Sequence, residues 1–81
     1  MPKIRRTNLP QNLLRHLYDR VEVRKIPNEQ LVLFAAWIFT DPEVPHGKWF
    51  KRFSGMTVCG EGELVKTFLL PNQAPDGEEI K

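Results

Sequence analysis

Residues 28–39 read Asn-Glu-Gln-Leu-Val-Leu-Phe-Ala-Ala-Trp-Ile-Phe. From Leu31 to Phe39 every side chain is apolar. A run of this kind suits a buried strand or a buried helix, and periodicity alone does not separate them. The central Ala35-Ala36 pair favours helix. So does Asn28 as a capping residue, with Glu29 in the first turn where a negative charge meets the helix dipole. The expected helix runs from 28 to 40 and stops at Asp41-Pro42. It is far shorter than the roughly 20 apolar residues a membrane span needs. A helix that is apolar all round must be covered all round. One neighbouring helix covers one side, so the remainder calls for the C-terminal half, a second copy of the chain, or both.

Upstream, Leu13, Leu14, Leu17, Tyr18 and Val21 recur at three- and four-residue spacing. That spacing predicts an amphipathic helix over 10–25, with Pro10 in its first turn, where a missing N–H costs nothing. Arg15, His16, Asp19, Arg20 and Glu22 take the opposite face. Residues 3–9 contain no Gly or Pro and end against Pro10, which favours an extended segment or strand. Downstream, Asp41 to Lys48 is rich in turn residues. Trp49 to Phe53 begins a short strand. Residues 56–60 and 63–70 flank Glu61-Gly62 as a hairpin, in a register that sets Val58 against Val65 and Cys59 against Leu64. The expected fold class is α+β: an N-terminal strand, two α-helices, then an antiparallel β-hairpin or meander. Trp37, in the middle of the apolar run, is expected to be deeply buried.

The 81 residues, 41% of them hydrophobic, suit a single small domain over 1–81. Residues 71–81 read as a flexible acidic tail. One cysteine, Cys59, excludes an internal disulfide framework and a multi-thiolate zinc site. With no apolar stretch behind Met1, no secretory leader is expected, and a cytoplasmic location follows. Charge is asymmetric. Residues 1–25 hold seven basic side chains against two acidic ones, whereas residues 53–81 hold two against five. A basic front and an acidic tail suggest a polyanion-facing end, although a solvated helix face and a soluble tail explain the same pattern.

Catalytic signals are absent from the pattern. His16 lies on the polar helix face and His46 in a turn, neither with converging ligands, so no metal is expected. Cys59 reads as a small hydrophobe in a strand. The Gly60-Glu61-Gly62 spacing matches no phosphate loop. No cofactor motif is present, and an enzyme is not expected.

Two groups of residues remain. Lys3, Arg6 and Asn8 lie on the N-terminal segment. Lys48, Lys51 and Arg52 interleave with Trp49, Phe50 and Phe53, a combination that suits stacking of bases beside phosphate contacts. The simpler account of the second group is an amphipathic strand with Trp49 and Phe53 in the core and Lys51 snorkelling.

The order strand, Leu9-Pro10, amphipathic helix, break, apolar helix over residues 3–39 resembles the ribbon-helix-helix family of DNA-binding proteins. The resemblance implies a homodimer whose paired N-terminal strands enter the major groove. It implies Arg6 reaching guanine and Asn8 pairing with adenine, with Lys3 on phosphate. It also turns Arg5 inward and Ile4 outward, the reverse of what their polarity favours. The Ile26-Pro27 break and residues 41–81 depart from the minimal family pattern. The functional expectation is a small non-catalytic homodimeric regulator that binds duplex DNA. The alternative is a monomeric α+β module or accessory subunit that binds a protein partner. A third reading is a small RNA-directed toxin using Lys51, Arg52 and Lys66.

Overall fold

A computed structural model describes residues 3–5 and 9–80. Two helices precede a four-stranded sheet: α1 Gln11–Val23, α2 Asn28–Phe39, β1 Lys48–Arg52, β2 Thr57–Glu61, β3 Leu64–Leu69 and β4 Glu78–Ile80. The sheet order is β3-β2-β1-β4. The three longer strands form an antiparallel meander, and β4 adds in parallel beside β1. The fold is therefore α+β, as the change of periodicity after Pro42 predicts.

Both helices end on a residue in the left-handed region. Arg24 closes α1 and Lys25 follows it at φ 53°. The Lys25 N–H then donates to the Glu22 carbonyl and the Ile26 N–H to the Val21 carbonyl. These bonds satisfy carbonyls that the helix end would leave unpaired. They also turn Ile26 into the core, where it is buried. Asp41 takes the corresponding place after α2, at φ 56°. Asn28 is not a cap. Pro27 precedes the helix, no side chain caps it, and the Pro27 carbonyl accepts from Gln30 and Leu31.

The core lies between the helices and one sheet face. Trp49, Val58, Val65 and Phe68 meet Ile4, Ile26, Val44 and Met56 there, with Leu17, Leu31, Phe34, Trp37 and Ile38 packed around them. Trp49 is fully buried. Trp37, expected at the centre, is half-buried. It stands at the margin of the helix–sheet contact, with its ring 5.9 Å from Trp49 and 6.1 Å from Phe53. The Phe34 ring completes this aromatic layer against Phe68 at 5.5 Å.

The hairpin forms in a different register from the expected one. Glu61 pairs with Leu64, so Gly62 and Glu63 make the loop. Gly62 takes φ +57° at the first loop position, which suits glycine in a tight hairpin turn. Val58 then stands opposite Phe68, and Cys59 opposite Thr67. The register shifts between Cys59 and Gly60, leaving Lys66 as the extra residue of a β-bulge. This bulge keeps both Val65 and Phe68 on the core side.

Two further expectations need correction. Residues 78–80, expected within a flexible tail, form β4: they pair with β1, setting Glu79 beside Phe50 and Ile80 beside Lys51, and Ile80 packs on the core. At the other end, Lys3 makes a single antiparallel bridge to Glu43, while Ile4 and Arg5 lie outside any strand. Ile4 is buried and Arg5 half-exposed, which reverses the inward and outward assignment that the ribbon resemblance implies. Apolar burial decides that orientation.

Candidate functional site

Lys3 is exposed, and its Nζ lies 2.9 Å from an Asp41 carboxylate oxygen. That hydrogen bond, with the attraction of the same carboxylate, raises the Lys3 pKa above the ordinary lysine value. The Arg5 N–H donates to the Glu63 carbonyl at 2.7 Å, and its guanidinium stands 3.6 Å from the Glu63 carboxylate. Residues 3–5 are thus laid against the α2–β1 connection and the hairpin turn of the sheet. Arg6 and Asn8, the base-reading pair of the ribbon resemblance, lie outside the described residues.

Strand alternation divides the second group. Lys48 and Arg52 share with Phe50 the sheet face away from the helices, and Lys51 lies on the helix side with Trp49 and Phe53. The Lys51 ammonium sits 6.0 Å from the Phe53 ring centroid, so its stem covers apolar surface while the charge reaches outward. Phe53 itself packs on the core. On the other face the Arg52 guanidinium lies 5.3 Å from the Phe50 ring and 3.8 Å from the Glu79 carboxylate. Lys48 lies 3.4 Å from Asp76. The acidic C-terminal residues therefore fold back onto the basic strand, and the charge asymmetry of the sequence is partly neutralised within the chain.

Beneath Lys48 and Asp76 a shallow cleft of about 230 Å³ runs over Cys59, Lys66 and Thr67. Cys59 is half-buried there, and desolvation pushes its thiol pKa up, with the Asp76 charge adding to the rise and the Arg24 charge opposing it. A thiol held protonated is a poor nucleophile. Among the described residues no three His, Cys, Asp or Glu side chains converge to hold a metal ion.

Both helices leave apolar side chains exposed: Leu14, Tyr18 and Val23 on α1, and a set on α2. The inner side of α2 meets the sheet through Leu31, Phe34, Trp37 and Ile38. Its outer side stays uncovered: Val32 is 66% exposed, Leu33 44% and Phe39 80%, with Ala35 and Ala36 exposed between them. The expectation of cover all round is thus met on one side only. Val32, Ala36 and Phe39 are four and three residues apart and form one stripe. Beside the stripe a cleft of about 440 Å³ is lined by Glu29, Gln30, Val32, Leu33 and Ser54.

Gln30 fixes the angle at which α2 presents this stripe. Its side chain is buried, donates to the Ser54 hydroxyl at 3.0 Å and accepts from the Gly55 N–H at 2.8 Å. The amide so joins α2 to the β1–β2 connection. Nothing in the spacing of the apolar run marks this role. By contrast, the uncovered stripe had a sequence signal, the absence of any charge from Gln30 to Thr40.

Fold and surface together define a small α+β domain with an uncovered apolar face on α2 and further exposed apolar side chains, Leu14, Tyr18 and Val23, on α1. Comparison with protein-family models, curated proteins and solved structures finds no match for the chain. No helix among the described residues is long and apolar enough to cross a membrane.

Proposed function

We propose that this chain is a small non-catalytic binding protein that recognises another protein through the outer face of α2. The observation that carries this reading is the set Val32, Leu33, Phe39, apolar, uncharged and exposed on a helix whose opposite side packs on the sheet. Single exposed apolar side chains are ordinary, but a contiguous set on one helix face is the kind of surface that partners cover. The cations on which a nucleic-acid reading relies support it less. Lys3, Lys48 and Arg52 each stand beside a carboxylate of the same chain. A duplex would have to displace those acids before gaining phosphate contacts. Duplex-DNA binding by a homodimer through Lys3, Arg6 and Asn8 is accordingly the second reading, and RNA cleavage by Lys51, Arg52 and Lys66 the third.

A photoreactive phenylalanine analogue in place of Phe39, in the full chain within its native cells, tests the proposal. A discrete protein adduct, lost on adding Val32→Glu, is the expected result. No adduct, together with salt-dependent affinity of the purified protein for a duplex pool, would overturn it in favour of the DNA reading.

A further inference from the structure

We infer that the partner of the α2 face is a second copy of this chain, docked α2 against α2 in antiparallel sense about a two-fold axis between Ala35 and Ala36. The inference rests on the preceding reading of that face and names its occupant.

A two-fold contact joins one patch to itself, so each projection on the patch must meet a recess at the symmetry-related place on the same patch. Phe39 is the projection, 80% exposed at the C-terminal end of the helix. The recess is the cleft beside Val32 and Leu33, near the N-terminal end. Midway between them lie Ala35 and Ala36, the smallest side chains of the helix and both exposed. In an antiparallel pair centred there, Phe39 of each copy stands over Val32 of the other. The alanines at the crossing let the helices approach to the near end of the 8–10 Å range. A parallel pair would instead set Phe39 against Phe39 and leave both clefts empty. The antiparallel sense also brings each helix N-terminus towards the opposite end of its neighbour, which the helix dipoles favour.

Charge agrees with this. From Gln30 to Thr40 the helix carries no ionisable side chain, so the middle of the stripe brings no like charges together; at its ends Glu29, which lines the cleft, comes near Asp41 of the other copy, a carboxylate that Lys3 already pairs. A heterologous partner recognised through a charged motif would leave its charges unanswered here. The size of the contact sets its strength. One 12-residue helix face falls below the roughly 800 Å² per partner of a standard stable interface, so the dimer should dissociate in the micromolar range.

The test uses the purified full chain. Sedimentation equilibrium across the micromolar range should show a monomer–dimer equilibrium, and Val32→Glu and Phe39→Glu should each shift it at least tenfold towards monomer. Both positions are exposed, so unchanged circular dichroism should accompany the shift. In a Cys59→Ser background, Ala36→Cys should form a disulfide-linked dimer under mild oxidation, because Cα atoms beside the axis fall within the span of a disulfide. Tyr18→Cys on exposed α1 should not. A protein that stays monomeric throughout this range overturns the inference. If that monomer still yields a heterologous adduct from position 39, recognition through α2 stands and only the partner changes. A dimer that ignores both glutamate substitutions and leaves Ala36→Cys unlinked places self-association elsewhere and also overturns it.

Discussion

The indole of Trp49 occupies the space that a side chain on Gly60 would fill. The two residues are cross-strand neighbours on β1 and β2, and a Cβ on Gly60 would lie 2.2 Å from the indole Cζ2 and 2.7 Å from the Leu64 carbonyl oxygen. Glycine is required here for close approach. The same indole donates its N–H to the Gly62 carbonyl at 2.9 Å, so the hairpin turn holds the ring in place. Gly60→Ala must move a fully buried ring or the β3 backbone. A loss of about 1–3 kcal/mol is expected, as for other overpacked cores. Urea unfolding followed by near-ultraviolet circular dichroism measures it, and an unchanged midpoint would show that the ring yields freely.

Gln30 offers a second test in the core. Replacing it by Leu removes both bonds to the β1–β2 connection and leaves the Gly55 N–H without its acceptor. An unsatisfied buried donor costs about 1–3 kcal/mol. Thermal unfolding of Gln30→Leu should show that loss. Added hydrophobicity at this position should not compensate, because the change in shape and the lost bonds act together. A variant as stable as the parent would mean that water or another group satisfies Gly55.

How far the sequence reveals this architecture depends on the range of the interaction concerned. The two helices and the meander are written in local periodicity and in the Pro and Gly residues between them. The hairpin register is not, because Glu61-Gly62 and Gly62-Glu63 are equally good turns until Val58, Val65 and Phe68 must all reach one core. β4 is likewise invisible locally. Glu78 and Glu79 have little strand preference, and pairing with β1 supplies the structure. The site divides in the same way. The apolar stripe of α2 was readable as an uncharged run, but which side would stay uncovered was not. The cations were readable too. Their neutralisation was not, since Lys3 meets Asp41 38 residues away and Lys48 meets Asp76 28 residues away.

Lys25 provides a stabilising substitution. It holds φ 53° after α1, a conformation that costs an L-residue with a Cβ but not glycine. Its side chain is exposed, so little packing is lost on removal. Lys25→Gly should raise stability by about 0.5–1 kcal/mol, the relief being partly offset by the greater freedom of glycine in the unfolded chain. An increase in melting temperature checks this, and a decrease would show that the Lys25 side chain contributes more than its cap geometry.

The short strand β4 should open without unfolding the rest. Only three residues pair, and Arg52–Glu79 and Lys48–Asp76 are exposed ion pairs, each worth about 0.2–1 kcal/mol and screened by salt. Glu79→Gln, or high salt, should speed amide hydrogen exchange in β4 and at the facing edge of β1. The amides between β2 and β3 should keep their protection. Loss of protection throughout the sheet would show instead that β4 is part of the cooperative core.

Alkaline pH should act on stability through Cys59. Burial is the main cause of its raised pKa, with Asp76 adding to it and Arg24 working against it. The folded chain therefore keeps the thiol proton at a pH where the unfolded chain has already released it. For a group raised on folding, the stabilising contribution is complete below the unfolded pKa and is lost as pH climbs through the folded one. Stability should thus decline from the ordinary thiol range upwards. Lys3, also raised, responds in the same direction but only around and above the ordinary lysine range. Comparing the parent with Cys59→Ser cancels the lysine effect, because Lys3 is common to both. Between neutral pH and about pH 10, the parent should lose more of its urea midpoint than the serine variant. The thiol should also alkylate with iodoacetamide more slowly than free cysteine at neutral pH. Equal pH dependence in the two proteins, with rapid alkylation, would place Cys59 in open solvent.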